Sequence, residues 1–187
     1  MSKLVTIAEH TFDEWLLPKQ ANILDIGCRG FLFTKAMRER GHKVWPVDID
    51  ELKEGQAYYQ LAISDFNGYC GVVHTKDPQA THIRKGGDAI MSYRLSTFSE
   101  KVGVPFWDLI KIDVEGAEFD IIMDMETAPA MQLSIEFHLH TGVYNDFHMK
   151  QMEQKLAFIG YHAMSHEKTS QHGAGFNYWD SLFVKGS

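Results

Sequence analysis

Residues 108–122 read DLIKIDVEGAEFDII, and this stretch decides the fold of the chain. The apolar run LIKI over residues 109–112 stops at Asp113, and an apolar pattern with helical spacing begins after Gly116. A short apolar run of this kind is typical of a central strand that is buried on both faces of a parallel sheet. The stretch therefore predicts a strand, a turn and a helix, with carboxylates where the strand ends.

The same alternation of strands and helices recurs along the rest of the chain. Strands are predicted over residues 21–27, 42–50, 57–65, 106–113 and 131–140, and helices over residues 11–20, 33–41, 95–103, 116–125 and 145–160. Such alternation is typical of a mostly parallel, doubly wound sheet with helices on both faces.

Three segments depart from this alternation. Residues 68–74 are predicted to form a hairpin with the strand before them through Asn67-Gly68, and residues 75–92 a loop or an irregular hairpin. The last two strands, 161–168 and 178–186, have no helix between them, which predicts an antiparallel hairpin at one edge. We expect one domain over residues 1–187, with an N-terminal helix in 1–20 and an α/β core in 21–187.

Composition and charge restrict the class of protein. Of the 187 residues, 44% are hydrophobic and 23% charged, which is a globular composition. The net charge of −7 disfavours nucleic acid as the main partner. The two cysteines, Cys28 and Cys70, have no metal-like spacing, no apolar signal segment opens the sequence, and no window suits a membrane span. We therefore expect a cytoplasmic protein without a membrane partner.

The first two predicted strands end in residues that suit a nucleoside. Asp25 and Gly27 close the first strand, and Asp48 closes the second 23 residues after Asp25. A glycine turn lets backbone approach a ligand, and a carboxylate about 20 residues further on is where ribose hydroxyls are bound. A dinucleotide would require G-x-G-x-x-G, whereas the turn here is G-x-x-G after an acid. An acid at that place repels a pyrophosphate but pairs with an amino group, which favours S-adenosylmethionine over NAD.

The motifs resemble a known family. DLIKIDVEGAEFDII is similar to the signature block of the FkbM-like family of S-adenosylmethionine-dependent methyltransferases. ILDIGCRG occupies the place of the family's Asp-x-Gly turn, and LAISD and LSIEFH resemble two of its later strands, so the resemblance spans about residues 22–140. One departure is Phe31, which stands where the family usually has a second glycine. The resemblance implies a Rossmann-like class I methyltransferase fold with S-adenosylmethionine as cofactor.

The resemblance and the strand-end positions together give two sets of candidate site residues. Candidates for cofactor binding are Asp25, Gly27, Arg29, Gly30, Asp48, Ser64 and Asp65, with Arg29 toward the methionine carboxylate and Ser64 and Asp65 toward the adenine. Candidates for catalysis on the acceptor side are Asp113, Glu115, Glu136 and His138. Alternate strand residues share a face, so Glu136 and His138 are expected to point to one pocket. We expect His138 to act as general base, or Asp113 if burial raises its pKa.

Several alternatives stay open at this point. Asp113 and Glu115 also suit capping of the following helix, and Glu118 suits a structural hydrogen bond or salt bridge. Glu136, His138 and His140 resemble a metal set, but three ligands along one extended strand lie too far apart, and we predict no metal. Tyr144, His172 and Phe176 are further candidates for the acceptor side.

These observations predict a methyltransferase that uses S-adenosylmethionine to methylate an oxygen. The resemblance implies a sugar, glycan or small-metabolite hydroxyl as acceptor. One alternative is a catalytically silent protein that binds S-adenosylmethionine or acts as a scaffold. An NAD-dependent oxidoreductase is a second alternative, disfavoured because the dinucleotide glycines are missing.

Overall fold

The computed structural model describes residues 2–52, 57–74, 82–138, 145–169 and 178–186. The strands are β1 Leu4–Ile7, β2 His10–Asp13, β3 Asn22–Ile26, β4 Lys43–Asp48, β5 Tyr59–Gln60, β6 Ala62–Ser64, β7 Gly68–Val73, β8 His82–Lys85, β9 Ile90–Arg94, β10 Trp107–Ile112, β11 Ala130–His138, β12 Tyr161–Thr169 and β13 Tyr178–Lys185. The helices are α1 Leu32–Glu39, α2 Leu95–Val102, α3 Glu118–Asp124 and α4 Asp146–Phe158.

Seven strands form the main sheet, in the order β12-β13-β11-β10-β3-β4-β5. The five strands from β11 to β5 run parallel, whereas β13 is antiparallel to both β11 and β12. The predicted parallel core and the predicted antiparallel C-terminal hairpin are therefore both confirmed. The hairpin differs in one respect: its second strand, β13, lies inside the sheet and only β12 is at the edge.

Alternate residues of β10 face two different hydrophobic clusters. Ile110 and Ile112 belong to a cluster that includes side chains of α2, α3 and α4. Leu109 belongs to a second cluster, formed with α1 and with Phe12 of β2. The strand is thus covered on both faces, as its apolar sequence predicts, and the sheet is doubly wound.

Pro46 lies within β4 without cost to the sheet. The carbonyl oxygen of Val47 accepts hydrogen bonds from the backbone of residues 27 and 28, on the β3 side. Neighbouring residues of a strand point their backbone groups in opposite directions, so the nitrogen of Pro46 faces the β5 side. Because β5 begins only opposite Val47, no strand there requires the missing N–H of Pro46.

The predicted N-terminal helix is wrong. β1 and β2 form an antiparallel hairpin, followed by a 3₁₀ turn at Glu14–Leu16. The amide of Gln132 in β11 holds β2 in place: Asp13 N donates to its Oε1 at 2.7 Å, and its Nε2 donates to Asp13 O at 3.1 Å. Phe12 is completely buried. Tertiary contacts therefore override the amphipathic pattern. The prediction of one domain over 1–187 stays a prediction.

The prediction of one strand over 57–65 with a hairpin to 68–74 is also wrong. The segment divides into β5, which pairs with β4, and β6, which pairs with β9 in a second sheet of order β6-β9-β7-β8. Asn67-Gly68 does not close a hairpin between β6 and β7, because β9 lies between these two strands. Asn67 Oδ1 accepts from Arg94 N at 2.9 Å, at the end of β9. The part of residues 75–92 that the structure describes forms β8 and β9, whereas 75–81 lie outside the described residues.

Candidate active site

The turn after β3 is held between the ends of two neighbouring strands. Gly27 N and Cys28 N donate to Val47 O at 2.9 and 3.2 Å, at the end of β4. Gly27 has a φ of +80°, and a Cβ atom there would lie 1.7 Å from the carbonyl oxygen of Asp113, after β10. Only glycine fits this position, because the φ value disfavours a side chain and the neighbouring backbone leaves no space. The turn therefore presents bare backbone at the carboxyl ends of the strands.

The residues that follow Gly27 show how the chain replaces the expected second glycine. Gly30 has a φ of +71°, and Phe31 has a φ of +55°, a left-handed conformation that few bulky residues adopt. The Phe31 ring is buried and packs edge-on against Tyr58, with ring centroids 5.8 Å apart. Aromatic burial thus holds the backbone in a conformation that glycine would adopt freely. Arg29 is exposed on this turn.

Asp25 lies beneath the turn and is completely buried. Its Oδ2 accepts a hydrogen bond from the hydroxyl of Thr34 in α1 at 2.5 Å, and its Oδ1 lies 3.2 Å from Lys111 Nζ. The same Nζ donates to the carbonyl oxygen of Gly27 at 2.5 Å. Asp25 therefore pairs with a lysine of the protein, and the lysine links it to the cofactor turn. Its predicted contact with the cofactor stays a prediction.

Asp48 ends β4 beside the turn, with 7% of its surface exposed. Its Oδ1 accepts from Asp50 N at 3.0 Å. Burial is the main cause that raises the pKa of Asp48 to about 6, although the bond from Asp50 N acts against it. Such a carboxylate has remaining acceptor capacity for a pair of hydroxyl groups. Asp48 and Gly27 therefore fit a ribose-containing group: one supplies acceptors and the other close backbone.

Ser64 ends β6 and Asp65 follows it, at the border of the second sheet. Ser64 is buried, and its hydroxyl donates to Asp65 Oδ1 at 3.2 Å. Asp65 also pairs with Lys85 Nζ at 2.5 Å. Burial acts to raise the pKa of Asp65, but the hydrogen bond and charge of Lys85 outweigh it and lower this pKa. The adenine contact that we predict for this pair remains a prediction.

The four predicted catalytic residues converge. His138 Nε2 lies 3.6 Å from Asp113 Oδ1, 3.5 Å from Glu115 Oε1 and 3.9 Å from Glu136 Oε1. Two of these side chains follow β10, and two end the adjacent strand β11. Because both strands are parallel and in register, their carboxyl ends lie side by side. We call this end of the strands, with Asp113, Glu115, Glu136 and His138, the acceptor edge. This edge also carries the Gly27 turn.

The charge of His138 corrects our assignment of a general base. Its Nδ1 bonds to Glu118 Oε1, and Glu118 is completely buried. Burial acts to lower the pKa of His138, but the carboxylates of Glu118, Asp113 and Glu115 outweigh it and raise this pKa to about 10. His138 is therefore an imidazolium at neutral pH, and a protonated imidazole accepts no further proton.

The pKa values of Asp113 and Glu136 shift in opposite directions. Burial acts to raise the pKa of Asp113, but the charge of Lys111, followed by His10 and His138, holds it well below its usual range. A raised pKa, the condition under which we expect Asp113 to act as general base, is therefore not met. Burial and the negative charge of Asp113 raise the pKa of Glu136 to about 8.

Neither Asp113 nor Glu115 caps α3. The N-cap position is Ala117, which makes no side-chain cap hydrogen bond. Gly116 N instead donates to Glu118 Oε2 at 3.0 Å, so Glu118 has the structural role that we predict for it. Glu115 has a φ of +49°, a strained backbone conformation of the kind found at functional sites.

Sequence reasoning missed two members of this site. Lys111 is 3% exposed, and its position inside an apolar strand is a signal that could have identified it. His10 is equally buried in β2 and places Nε2 3.5 Å from Asp113 Oδ2. No pattern in the sequence indicates His10, because its contact depends on the N-terminal hairpin packing on the sheet. Four other candidates, His140, Tyr144, His172 and Phe176, lie outside the described residues.

The chain is similar to several solved structures of other proteins. The fibrillarin pre-rRNA processing protein of Methanococcus jannaschii superposes with a TM-score of 0.51 at 9% sequence identity, over 98% of this chain and 82% of that chain. The 1,6-didemethyltoxoflavin-N1-methyltransferase of Burkholderia thailandensis gives a TM-score of 0.49 at 15% identity, over 90% of this chain and 72% of that chain. The magnesium protoporphyrin IX methyltransferase of Synechocystis PCC 6803 gives 0.49 at 12%, over 91% and 72%.

Three further findings concern the sequence. No curated protein matches the chain at a significant level of similarity. Within the described residues, none of the helices has the length and apolar character required to cross a bilayer. The methyltransferase FkbM domain matches residues 37–163, which is more than half of the chain. The chain therefore belongs to the FkbM-like family of S-adenosylmethionine-dependent methyltransferases, and its cofactor is S-adenosylmethionine.

Proposed function

We propose that this protein methylates a hydroxyl oxygen of a sugar, a glycan or a small hydroxylated metabolite. The observation that carries the proposal is the convergence of Asp113, Glu115 and Glu136 within 3.9 Å of His138 Nε2. Carboxylates are strong acceptors for the hydroxyl groups of such acceptors. The proximity of this set to Gly27, whose backbone contacts Asp113, supports an acceptor bound next to the cofactor turn.

The chemistry of an oxygen acceptor suits this arrangement. The cofactor supplies an electrophilic methyl group. A carboxylate of the set would accept the proton that the acceptor hydroxyl loses when its oxygen is methylated. His138 is protonated, so it orients these carboxylates and does not receive the proton. The main contribution of the site is then to hold the hydroxyl in line with the methyl group.

On the cofactor side, the proposal uses the residues predicted to bind S-adenosylmethionine. Asp48 accepts the ribose hydroxyls, the backbone around Gly27 and Gly30 contacts the methionine part, and Arg29 binds the methionine carboxylate. Asp65 and Ser64 lie toward the adenine. The proposal includes a reducing, cytoplasmic location, which the buried and unpaired thiols of Cys28 and Cys70 support.

An assay of the purified chain with labelled S-adenosylmethionine and a panel of sugars, glycans and small alcohols tests this proposal. We expect label in an ether that resists alkaline hydrolysis, and loss of transfer in Glu115→Gln with retained cofactor binding. Label in a methyl ester, a methylated amine or a thioether would contradict the proposal, because the protein would then methylate a carboxylate, an amine or a thiol. Cofactor binding without transfer to any acceptor would favour the catalytically silent alternative.

A further inference from the structure

His10 extends the acceptor edge to a second group, which shares Asp113 and Glu136 with the carboxylate set of the proposed function. His10, Asp113 and Glu136 each place one nitrogen or oxygen atom so that these atoms all lie within 4.8 Å of one another. They come from β2, from the end of β10 and from β11. Even-numbered residues of β11 point to the face on which the N-terminal hairpin packs, as the contact of Gln132 with Asp13 shows. This packing brings His10 to Glu136.

His10 is the residue that indicates a ligand. Its surface is 3% exposed, and its Nδ1 is buried with no hydrogen-bond partner among the described residues. The ring packs edge-on against Phe33 and directs Nε2 at Asp113 Oδ2 from 3.5 Å. That separation exceeds the usual length of an N–H···O hydrogen bond. The contact of Nε2 with Asp113 is therefore a long one, and an ion between Nε2 and Oδ2 would replace it by two metal–ligand bonds.

The distance between His10 and Asp113 suits two ligands of one ion. Two atoms that each lie about 2.1 Å from a tetrahedral ion are about 3.4 Å apart. The observed separation is 3.5 Å. Lys111 Nζ lies 3.1 Å from the same Oδ2, and a carboxylate oxygen has lone pairs for both partners.

The local charge also favours a cation. Four carboxylates meet at this edge, and they are Asp113, Glu115, Glu118 and Glu136. Within the part of the chain that the structure describes, the positive groups in contact with them are Lys111 and the imidazoles of His138 and His10. Four carboxylates thus face the ammonium group of Lys111 and the imidazolium of His138.

We propose that His10, Asp113 and Glu136 bind one divalent transition-metal ion. An imidazole together with carboxylates suits Zn²⁺, Mn²⁺, Co²⁺ or Ni²⁺, whereas Mg²⁺ and Ca²⁺ prefer oxygen ligands alone. This site differs from the set along β11 that the sequence suggested, because only Glu136 is common to both. The ion lies beside the acceptor carboxylates, where it is able to bind an acceptor oxygen.

The test uses the untagged full chain after treatment with a chelator, without cofactor or acceptor. The chain is titrated with Co²⁺, and binding is measured by calorimetry and by visible absorption. We expect saturation at one Co²⁺ ion per chain and an absorption spectrum typical of Co²⁺ with a nitrogen ligand. Glu136→Gln has nearly the same shape as the wild-type residue, and it should weaken Co²⁺ binding at least tenfold. His10→Gln should do the same, and His162→Gln, at an exposed histidine of β12, should leave binding unchanged.

Circular dichroism of each variant establishes that it is folded, and Glu136→Gln alone decides the test if His10→Gln fails to fold. No saturable Co²⁺ binding by the wild type, or equal binding by the wild type and Glu136→Gln, would overturn the proposal. A tenfold loss in His162→Gln would overturn it too, since the ion would then lie elsewhere. Because no methyl transfer is measured, failure of the proposed function would leave this result unaffected.

Discussion

The ammonium group of Lys111 lies 3.1 Å from Oδ2 of Asp113, two residues further along the chain. The same nitrogen lies 3.2 Å from Asp25 Oδ1 and bonds to the carbonyl oxygen of Gly27. One buried charge therefore joins the cofactor turn to the acceptor edge. Lys111 faces this network because β10 alternates, so that Ile110 and Ile112 face the main core and Lys111 faces the opposite side.

We expect Lys111→Met to lower the free energy of unfolding by roughly 3–5 kcal/mol, because the buried Asp25 and the partly buried Asp113 both lose this partner. Urea denaturation measures this change. The double variant Lys111→Met/Asp113→Asn should lose less than the sum of the two single changes, since it removes one of the orphaned charges.

Lys85→Met is the matched control for this prediction. Lys85 also pairs with an aspartate, Asp65, but 63% of its side chain is exposed. Its replacement should change stability by less than about 1 kcal/mol, as is usual for surface pairs. Equal effects of the two substitutions would show that burial of Lys111 does not determine its contribution.

We expect Gly27→Ala to destabilise the protein by roughly 3 kcal/mol or more, since the new Cβ overlaps the backbone of Asp113 in addition to the cost of a positive φ. Gly41→Ala is a control with a similar φ of +87° and no atom within 4 Å of the added carbon. It should cost only about 1 kcal/mol, the price of the conformation alone. Thermal unfolding of the two variants compares them, and equal losses would contradict the close approach of the two strands.

We expect Asp48→Ala to weaken S-adenosylmethionine binding by roughly 1–3 kcal/mol, because the ribose hydroxyls lose their acceptor. Calorimetric titration measures the affinity. Asp108→Ala is the control: its carboxylate accepts from Asn22 N at 2.7 Å, where β3 and β10 begin, at the opposite edge of the sheet. That change should reduce stability and leave affinity unaltered. Unchanged affinity in Asp48→Ala would place the ribose elsewhere.

Asp48 also gives a prediction about pH. Its pKa is about 6 in the folded protein against an ordinary value of 3.8, so the folded state binds more protons between these values. Stability contributed by protonated Asp48 is therefore full below about pH 4 and is lost as the pH rises to about 6. Asp48→Asn keeps the acceptor for Asp50 N and removes this titration.

We therefore compare the unfolding free energy of Asp48→Asn with that of the wild type at two pH values. The difference, variant minus wild type, should be more positive at pH 8 than at pH 4 by roughly 2–3 kcal/mol. Chemical denaturation at both pH values, without cofactor, measures it. A difference between the two proteins that stays constant with pH would mean that Asp48 titrates normally in the folded state.

Much of the fold follows from local sequence patterns. β3, β10 and α4 begin and end within a few residues of their predicted positions. Asn145 caps α4, with its Oδ1 accepting from Phe147 N at 3.0 Å. These elements combine a strong periodicity with a local start or stop signal, so neighbouring residues suffice to specify them. Parallel strands then place Asp113 and Glu136 at one edge of the sheet without further information.

The elements that sequence patterns mispredicted depend on distant partners. β2 exists because Phe12 enters the core and Gln132 bonds to Asp13. The division between β5 and β6 follows from pairing with β4 and β9, which are separated from each other along the chain by more than 40 residues. Intrinsic strand preference is weak, and such pairings determine where a strand begins and ends.

The sequence by itself determined the parallel core, the family and the edge at which the carboxylates gather, since periodicity and motif spacing are local properties. Only the tertiary structure decided the protonation state of His138 and the presence of His10 beside Asp113. Both depend on which charges and rings surround a side chain after folding, and the balance between burial and paired charge acts across segments that are far apart in the chain.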